Sequence, residues 1–363
     1  MRINGKNYHT IWVKENEPGT IQIIDQRFLP FEFKIVDLKT PEDVYLAIKE
    51  MWLRGAPLIG VAAAYGMYLG LLQIKSEDNC EIESLASYLK SSRPTAVNLQ
   101  FAVDLVINQI KNEKSIDKKI QIAFETANRL KEKEIDNCLR IGEFGFSLIE
   151  KISKSKAGDV VNILTHCNAG WLACVDYGTA TAPIYLAHKK GIKIHVWVDE
   201  TRPRNQGARL TAFELGQEGI SHTVIADNTG GLLMQKGLVD VVIVGSDRTS
   251  ATGDVANKIG TYLKALAAYD NNIPFYVALP ISTIDWEIND GIKEIPIEQR
   301  DENEVKYVEG WDGSRIVKIR IMPENSPVSN YGFDITPAKY VSALITEKGI
   351  CKANRQDLEK FRK

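Results

Sequence analysis

Cysteine is scarce and scattered in this chain. Five residues, Cys80, Cys138, Cys167, Cys174 and Cys351, form no CxxC pair. The odd number and wide spacing argue against a disulfide framework and against a zinc site. Neither sign of charge is in excess: 45 Lys and Arg against 47 Asp and Glu give a net charge of −2, and nothing points to nucleic acid or an anionic membrane surface. The longest uncharged apolar run, Pro57 to Leu72, falls short of the ~20 residues that span a bilayer. Rich in Ala and Gly, it reads as a buried core helix. The opening MRINGKNYHT lacks the apolar centre of a signal peptide, so the expected location is the cytoplasm. Repeats, low-complexity segments and a Ser/Gly linker are also missing. So are GxGxxG after the first strand of the α/β region and GxxxxGK[ST] anywhere, which removes the usual signals of dinucleotide and P-loop chemistry.

What is present is an ordinary globular composition, 44% apolar and 25% charged, over 363 residues. That length suggests two domains, each able to bury a core without a disulfide or structural metal. Residues 7–36 carry short β-rich runs, HTIWV, TIQIID and FEFKIV, separated by turn formers. From Thr40 to about Lys154 the pattern is helical. Thr40-Pro41-Glu42-Asp43 has the form of an N-cap, a proline at the first helical position and acids in the first turn. Ala102–Ile110 and Ile141–Ile149 repeat apolar residues every three or four positions.

The texture changes near Ala157-Gly158. VVNIL, IKIHVWV, HTVIA, DVVIVG and PFYVAL are continuous apolar runs of strand length, alternating with helix-like segments. Such runs predict a parallel sheet covered on both faces. The fold expected is α/β: a smaller N-terminal domain of short strands and a helical bundle (1–154), then a Rossmann-like, doubly wound domain (155–363). SRIVKIRIM reads as a strand, and ITPAKYVSALITEKG as a terminal helix.

Open α/β sheets bind ligands at the carboxyl ends of their strands. Thr165-His166-Cys167-Asn168, Asp199-Glu200-Thr201-Arg202, Asp227-Asn228-Thr229 and Ser246-Asp247-Arg248-Thr249 follow four successive strands. In any single loop an Asp is most simply a helix N-cap. Four polar ends on one edge point to a site. His166 and Cys167 are adjacent in extended chain, so their side chains face opposite ways and His166 is expected to pack rather than act as a base for the thiol. Asp247 leaves a very apolar strand and is the carboxylate best placed to pass protons. The loop SDRTSATGDVANKIGTYL is expected to enter a helix near Asn257-Lys258, whose amides and lysine would suit a phosphate. Asp254 is either part of that site or an N-cap. Arg54 in RGAP and Arg93 in SRPTAVNL, each beside Pro at a helix break, are candidate anion ligands.

Together RGAPLIGVAAAYG, SRPTAVNL, ILTHCNAG, DETRPRNQGARLTAFEL, DNTGGLLM, VGSDRTSATGDVANKIGTYLKALAA and PFYVALP resemble, in order from Arg54 to Pro280, the 5-methylthioribose-1-phosphate isomerases of methionine salvage. The β-rich start and FDITPA extend the likeness to essentially the whole chain. That family shares its fold with the regulatory alpha, beta and delta subunits of the eukaryotic initiation-factor exchange complex, which generally lack the catalytic cysteine and aspartate. The resemblance implies a cytoplasmic homodimer acting on a sugar phosphate, with no metal or redox cofactor, no nucleic acid and no membrane. It makes Cys167 and Asp247 the catalytic pair. It assigns the substrate to Arg54, Gly55, Ala56, Arg93, Gln206, Asn257 and Lys258. The reaction implied turns an aldose 1-phosphate into a ketose 1-phosphate. Because the phosphate blocks the free aldehyde, the ring must be opened by an acid. Hydrogen then moves from C2 to C1, as a proton through a cis-phosphoenolate or as a hydride. The rival readings are an isomerase of 5-deoxyribose 1-phosphate or ribose 1,5-bisphosphate, and a non-catalytic regulatory subunit that senses sugar phosphates or nucleotides.

Overall fold

Two very short strands, β1 (Arg2–Ile3) and β2 (Lys6–Asn7), open the chain, followed by an antiparallel sheet of β3 (Ile11–Val13), β4 (Ile21–Ile24) and β5 (Ile35–Leu38). The structure is a computed structural model that describes residues 1–75, 79–94 and 96–362; Thr95 of the SRPTAVNL motif lies outside them. Helix α1 (Pro41–Lys49) starts where the sequence predicts. The Asp43 N–H donates to the Thr40 hydroxyl at 3.0 Å and the Thr40 N–H to the Asp43 carboxylate at 2.9 Å, a reciprocal capping box.

Helix α2 (Ala56–Leu71) is buried at every residue from Pro57 to Leu71 and forms the axis of a bundle with α1, α3 (Asn79–Lys90), α4 (Val97–Ile110) and α5 (Ile116–Ser155). This is what a helix apolar all round must do. Helix α5 runs 40 residues, about 60 Å at 1.5 Å per residue. Its first half packs in the bundle through Ala123, Ala127 and Leu130, and its second half joins the core of the main sheet through Ile141 and Ile149. Among the described residues no helix is long and apolar enough to cross a membrane.

The main sheet begins after α5 with β6 (Val161–Thr165). Helix α6 (Ala182–Lys189), β7 (Ile194–Asp199), α7 (Ala212–Gln217), β8 (His222–Ile225), α8 (Thr229–Gln235) and β9 (Val241–Val244) follow. A hairpin of β10 (Arg248–Ser250) and β11 (Val255–Lys258) interrupts the alternation before α9 (Thr261–Asp270) and β12 (Phe275–Ala278). Beyond these come β13 (Ile284–Asp285), an antiparallel pair β14 (Tyr307–Trp311) and β15 (Ile316–Arg320), β16 (Phe333–Thr336), β17 (Ala343–Thr346), β18 (Gly349–Cys351) and a terminal helix Arg355–Arg362.

The seven-stranded sheet has the order β18-β17-β12-β9-β6-β7-β8, parallel except for β18. The chain starts at β6, moves outward to β8 and returns to lay β9 on the other side of β6. Winding therefore reverses between β6 and β9, which is where such sheets open a crevice at their carboxyl ends. A four-stranded sheet, β13-β10-β11-β16, includes the hairpin that follows β9.

Three sequence expectations are corrected here. ITPAKYVSALITEKG is not the terminal helix: its first residues end β16, and Ala343–Thr346 form β17, between β12 and β18. A short apolar run is ambiguous in period, and pairing in the sheet decides it. Asn257 and Lys258 do not start a helix either. They lie on β11, opposite Asp334 and Phe333 of β16, and α9 begins at Thr261. Asp254 starts no helix of its own, since the chain runs on into β11: its carboxylate accepts the N–H groups of Gly291 (3.0 Å) and Ala338 (2.9 Å), the first residues of two short helical turns, and pins the hairpin to both.

Candidate active site

Cys167 follows β6 and Asp247 follows β9, so the two leave neighbouring strands at the point where the winding reverses. Both line one narrow cavity. Arg54, Gly55 and Ala56 from the start of α2 line it too, with Arg93 from the break before α4, Gln206 from the loop after β7, and Asn257 and Lys258 from β11. All nine residues that the resemblance assigns to the site thus line one cavity, brought from six segments.

The Cys167 backbone is held in the left-handed region, φ 66°, which costs a non-glycine residue energy and needs support from its surroundings. The support is two hydrogen bonds. The Cys167 N–H donates to the Thr201 hydroxyl at 2.9 Å, and the Thr211 hydroxyl donates to the Cys167 carbonyl at 2.7 Å. Thr211 closes a π-helical turn, Gly207–Thr211, that leads into α7. Burial pushes the Cys167 thiol up, while Arg54 and Lys258 pull it back.

Asp247 is anchored by its backbone, whose N–H donates to the Ala256 carbonyl at 2.9 Å. Among the described residues nothing donates to its carboxylate. Burial raises its pKa, and Lys258, Arg93 and Arg54 oppose the rise. A carboxyl held above its ordinary range is suited to giving a proton as well as taking one.

Arg54 donates from both terminal nitrogens to the Asn168 carbonyl (2.9 and 2.5 Å) and from one of them to the Asn168 side-chain oxygen (2.9 Å). The next residue must be glycine: Gly55 has φ 99°, and a Cβ there would lie 2.2 Å from the Ala173 carbonyl oxygen. Arg93 meets Glu298 at 3.3 Å and, among the described residues, its Nε has no partner, as the Gln206 Oε1 has none. Lys258 donates to the Gly332 carbonyl at 2.9 Å, and burial lowers its pKa. Asn257 donates to the Thr261 hydroxyl at 3.1 Å. Buried orphan groups of this kind are costly unless something pairs with them.

The other strand-end acids lie behind the cavity lining and hold residues beside it. Asp199 meets the His166 ring at 2.8 Å and Lys264 at 3.3 Å, and the second His166 nitrogen meets the Ile259 carbonyl at 2.8 Å. Both ring nitrogens of His166 are thus engaged away from the thiol, although the extended chain expected from the sequence does not continue through Cys167, whose φ is 66°. Asp227 accepts the N–H groups of Thr201 and Arg202, at 2.7 and 2.8 Å. The potential ligand atoms of His166, Asp199 and Asp227 lie within 4.8 Å of one another, but the Lys264 ammonium already balances this acidic group. Asn168, Thr201, Thr211, Glu214 and Glu298 belong to the site's framework; the sequence names Asn168 and Thr201 only as members of strand-end loops, without a role, and leaves the other three out. Only Glu214, a carboxylate inside the apolar pattern LTAFEL, left a signal there.

Comparison with known proteins places this geometry. The model of the Initiation factor 2 subunit family matches residues 53–353. A methylthioribose-1-phosphate isomerase from Desulfatibacillum aliphaticivorans is 56% identical over 358 residues, covering 98% of this chain and 97% of that protein. The crystal structure of 5-methylthioribose 1-phosphate isomerase from Pyrococcus horikoshii OT3 superposes with a TM-score of 0.84 at 38% identity, covering 98% of this chain and 96% of that one. The delta subunit of the translation initiation factor eIF-2B from A. fulgidus superposes with a TM-score of 0.78 at 36% identity, over 98% and 99% of the two chains. The chain belongs to the Initiation factor 2 subunit family and, within it, to the methylthioribose-1-phosphate isomerases.

Proposed function

We propose that the protein is an aldose–ketose isomerase that converts 5-methylthioribose 1-phosphate into 5-methylthioribulose 1-phosphate in methionine salvage. The observation that carries this reading is the meeting of Cys167 and Asp247 with Arg54, Arg93 and Lys258 in one cavity whose walls hold buried groups unpaired among the described residues. The three cations suit a phosphate, and the free Arg93 Nε and Gln206 Oε1 offer a donor and an acceptor to it and to a sugar hydroxyl. Asp247, raised by burial, protonates the ring oxygen and handles the hydrogen on C2 or its hydroxyl. Cys167 faces the same space and carries the second proton or shapes the pocket around it. Isomerisation in deuterated water tests the routes in one direction: solvent deuterium in the product excludes pure hydride transfer, whereas its absence fits a hydride shift and a rapid, shielded proton transfer alike.

A second cavity shares Met51, Arg54 and Gln206 with the site and is also lined by Arg27, Arg204 and Arg209. Each of these three arginines is already ion-paired, with Asp25 at 2.7 Å, Glu304 at 2.9 Å and Glu309 at 3.1 Å. Among the described residues, Arg54, which the proposed reading gives to the first phosphate, is the one arginine of this cavity without an ion pair, so a second phosphate would find no further cation to itself, which favours an uncharged 5-substituent over ribose 1,5-bisphosphate. The test is a panel of ribose 1-phosphates bearing methylthio, hydrogen or phosphate at C5, assayed for ketose. Fastest turnover of the methylthio compound supports the reading, and absence of turnover on all three supports the regulatory alternative. We further divide the chain at residues 154 and 155, where α5 ends, and take the working unit to be a cytoplasmic homodimer without a cofactor; light scattering tests the dimer.

A further inference from the structure

The loop that carries Cys167 rests on a carboxylate to which the proposed chemistry assigns no role. Glu214 in α7 is fully buried. One of its oxygens accepts the side-chain amide of Asn168 at 3.0 Å and the Leu172 N–H at 2.9 Å, and the other accepts the Tyr185 hydroxyl at 2.7 Å. Its approach to the loop depends on a glycine: a Cβ on Gly170 would lie 1.7 Å from the nearer carboxylate oxygen. Asn168 joins this carboxylate to the site. Its amide also donates to the Thr211 hydroxyl at 3.1 Å, the same hydroxyl that holds the Cys167 carbonyl. Its two oxygens receive Arg54. One side chain, fixed by Glu214, therefore sets both the left-handed turn at Cys167 and the position of the Arg54 guanidinium.

We propose that Glu214 is a positioning residue: its carboxylate orients Asn168, and through Asn168 aligns Cys167 with Arg54 for the isomerisation. The proposal rests on the isomerase reading above. A buried carboxylate is costly to keep, and burial does push this one up against the pull of Tyr185, Asn168 and Leu172. A mere filler of that volume would be better supplied by an apolar residue. Three donors converging on it, one of them the residue after Cys167, indicate that its geometry is what matters.

The test compares Glu214→Ala, Glu214→Asp and Glu214→Gln in the full chain. Gln keeps an acceptor for Asn168 and Leu172 and turns its NH2 toward the Tyr185 oxygen. Asp keeps the charge but falls short of Asn168. Ala is expected to lower kcat about 100-fold and Asp about tenfold, with KM changed little, as misplacement of reacting groups does. Gln should stay within about threefold of wild type. A readout independent of substrate is the pH profile of Cys167 alkylation by iodoacetamide, with the exposed Cys80 as internal reference. Its midpoint should rise in the Ala and Asp variants, because Arg54 is no longer held beside the thiol. Wild-type kcat in folded Ala or Asp variants overturns the proposal, as does a Gln variant no better than Asp, or an unchanged alkylation profile. If Ala does not fold, the Asp and Gln pair decides. If the wild type turns over no pentose 1-phosphate, the functional reading fails while the alkylation comparison still decides the role of Glu214.

Discussion

Arg54 and Asn168 lie 114 positions apart and share three hydrogen bonds, two to the Asn168 carbonyl and one to its side chain. The start of α2 is thereby fastened to the loop after β6. The guanidinium expected to hold the phosphate and the thiol expected to serve the chemistry are one mechanical unit, since Asn168 follows Cys167 directly. The planar fork of arginine is what allows this.

Arg54→Lys should therefore be a severe change despite keeping the charge. Lysine can make one of the three bonds but not all of them, so the phosphate ligand and the Cys167 turn are disturbed together. We expect KM to rise about tenfold and kcat to fall by a similar factor. Steady-state kinetics with 5-methylthioribose 1-phosphate measure both, and an effect on KM alone would separate phosphate binding from Cys167 alignment.

Asp247→Asn should keep the fold, because the Asp247 backbone rather than its side chain makes the structural hydrogen bond to Ala256. Turnover should fall by about 10²–10⁴-fold, the range for loss of a general acid or base. Circular dichroism checks the fold and ketose formation the activity. Near-normal turnover would remove Asp247 from the mechanism.

Cys167 sits at φ 66°, so Cys167→Gly relieves about 1–2 kcal/mol of backbone strain. The extra freedom of glycine in the unfolded chain returns about 0.5–1 kcal/mol of cost. The melting temperature should thus change little while turnover is lost. Cys167→Ser, which keeps the strain, should also be strongly impaired. A glycine variant with substantial activity would return Cys167 to a packing role.

Glu134, buried in α5 with one carboxylate oxygen unpartnered among the described residues, has a pKa raised by burial from 4.5 to about 7. Below about pH 4.5 the group is neutral in both the folded and unfolded states and costs nothing. Between there and pH 7 the unfolded chain ionises first, so stability falls, by about 3 kcal/mol in all for this group. Glu134→Gln should remove that slope. Its denaturation midpoint should exceed that of wild type above pH 7 and match it near pH 4.5. Equal midpoints at every pH would show that Glu134 is not charged at a cost in the fold.

The helix start at Thr40, the buried axis Pro57–Leu71 and the five apolar strand runs were legible because each follows from local chemistry or hydrophobic period. The candidate site was legible for a different reason. Strand ends of a parallel sheet share one edge, so Cys167 and Asp247 fell on it whatever the strand order. Asn257 and Lys258 were named correctly and placed on the wrong element, since only pairing with Asp334 and Phe333 makes that segment a strand. Glu214 and Glu298 escaped notice, and Asn168 was named without its role, because their importance lies in contacts to distant residues, and a sequence of one chain records no distances.

The sequence by itself determined which segments are helix or strand wherever the apolar period was long, and it determined which residue types stand at the carboxyl edge. Those are short-range matters, set by backbone preference and by which face avoids water. The tertiary structure alone decided that β9 returns beside β6 and makes Cys167 and Asp247 neighbours. It alone decided that Arg54 reaches across to Asn168, and that Glu214 is buried beneath the loop it holds. These arrangements depend on the packing of whole layers and on pairing every buried polar group, conditions met by the folded chain as a whole and by no segment of it alone.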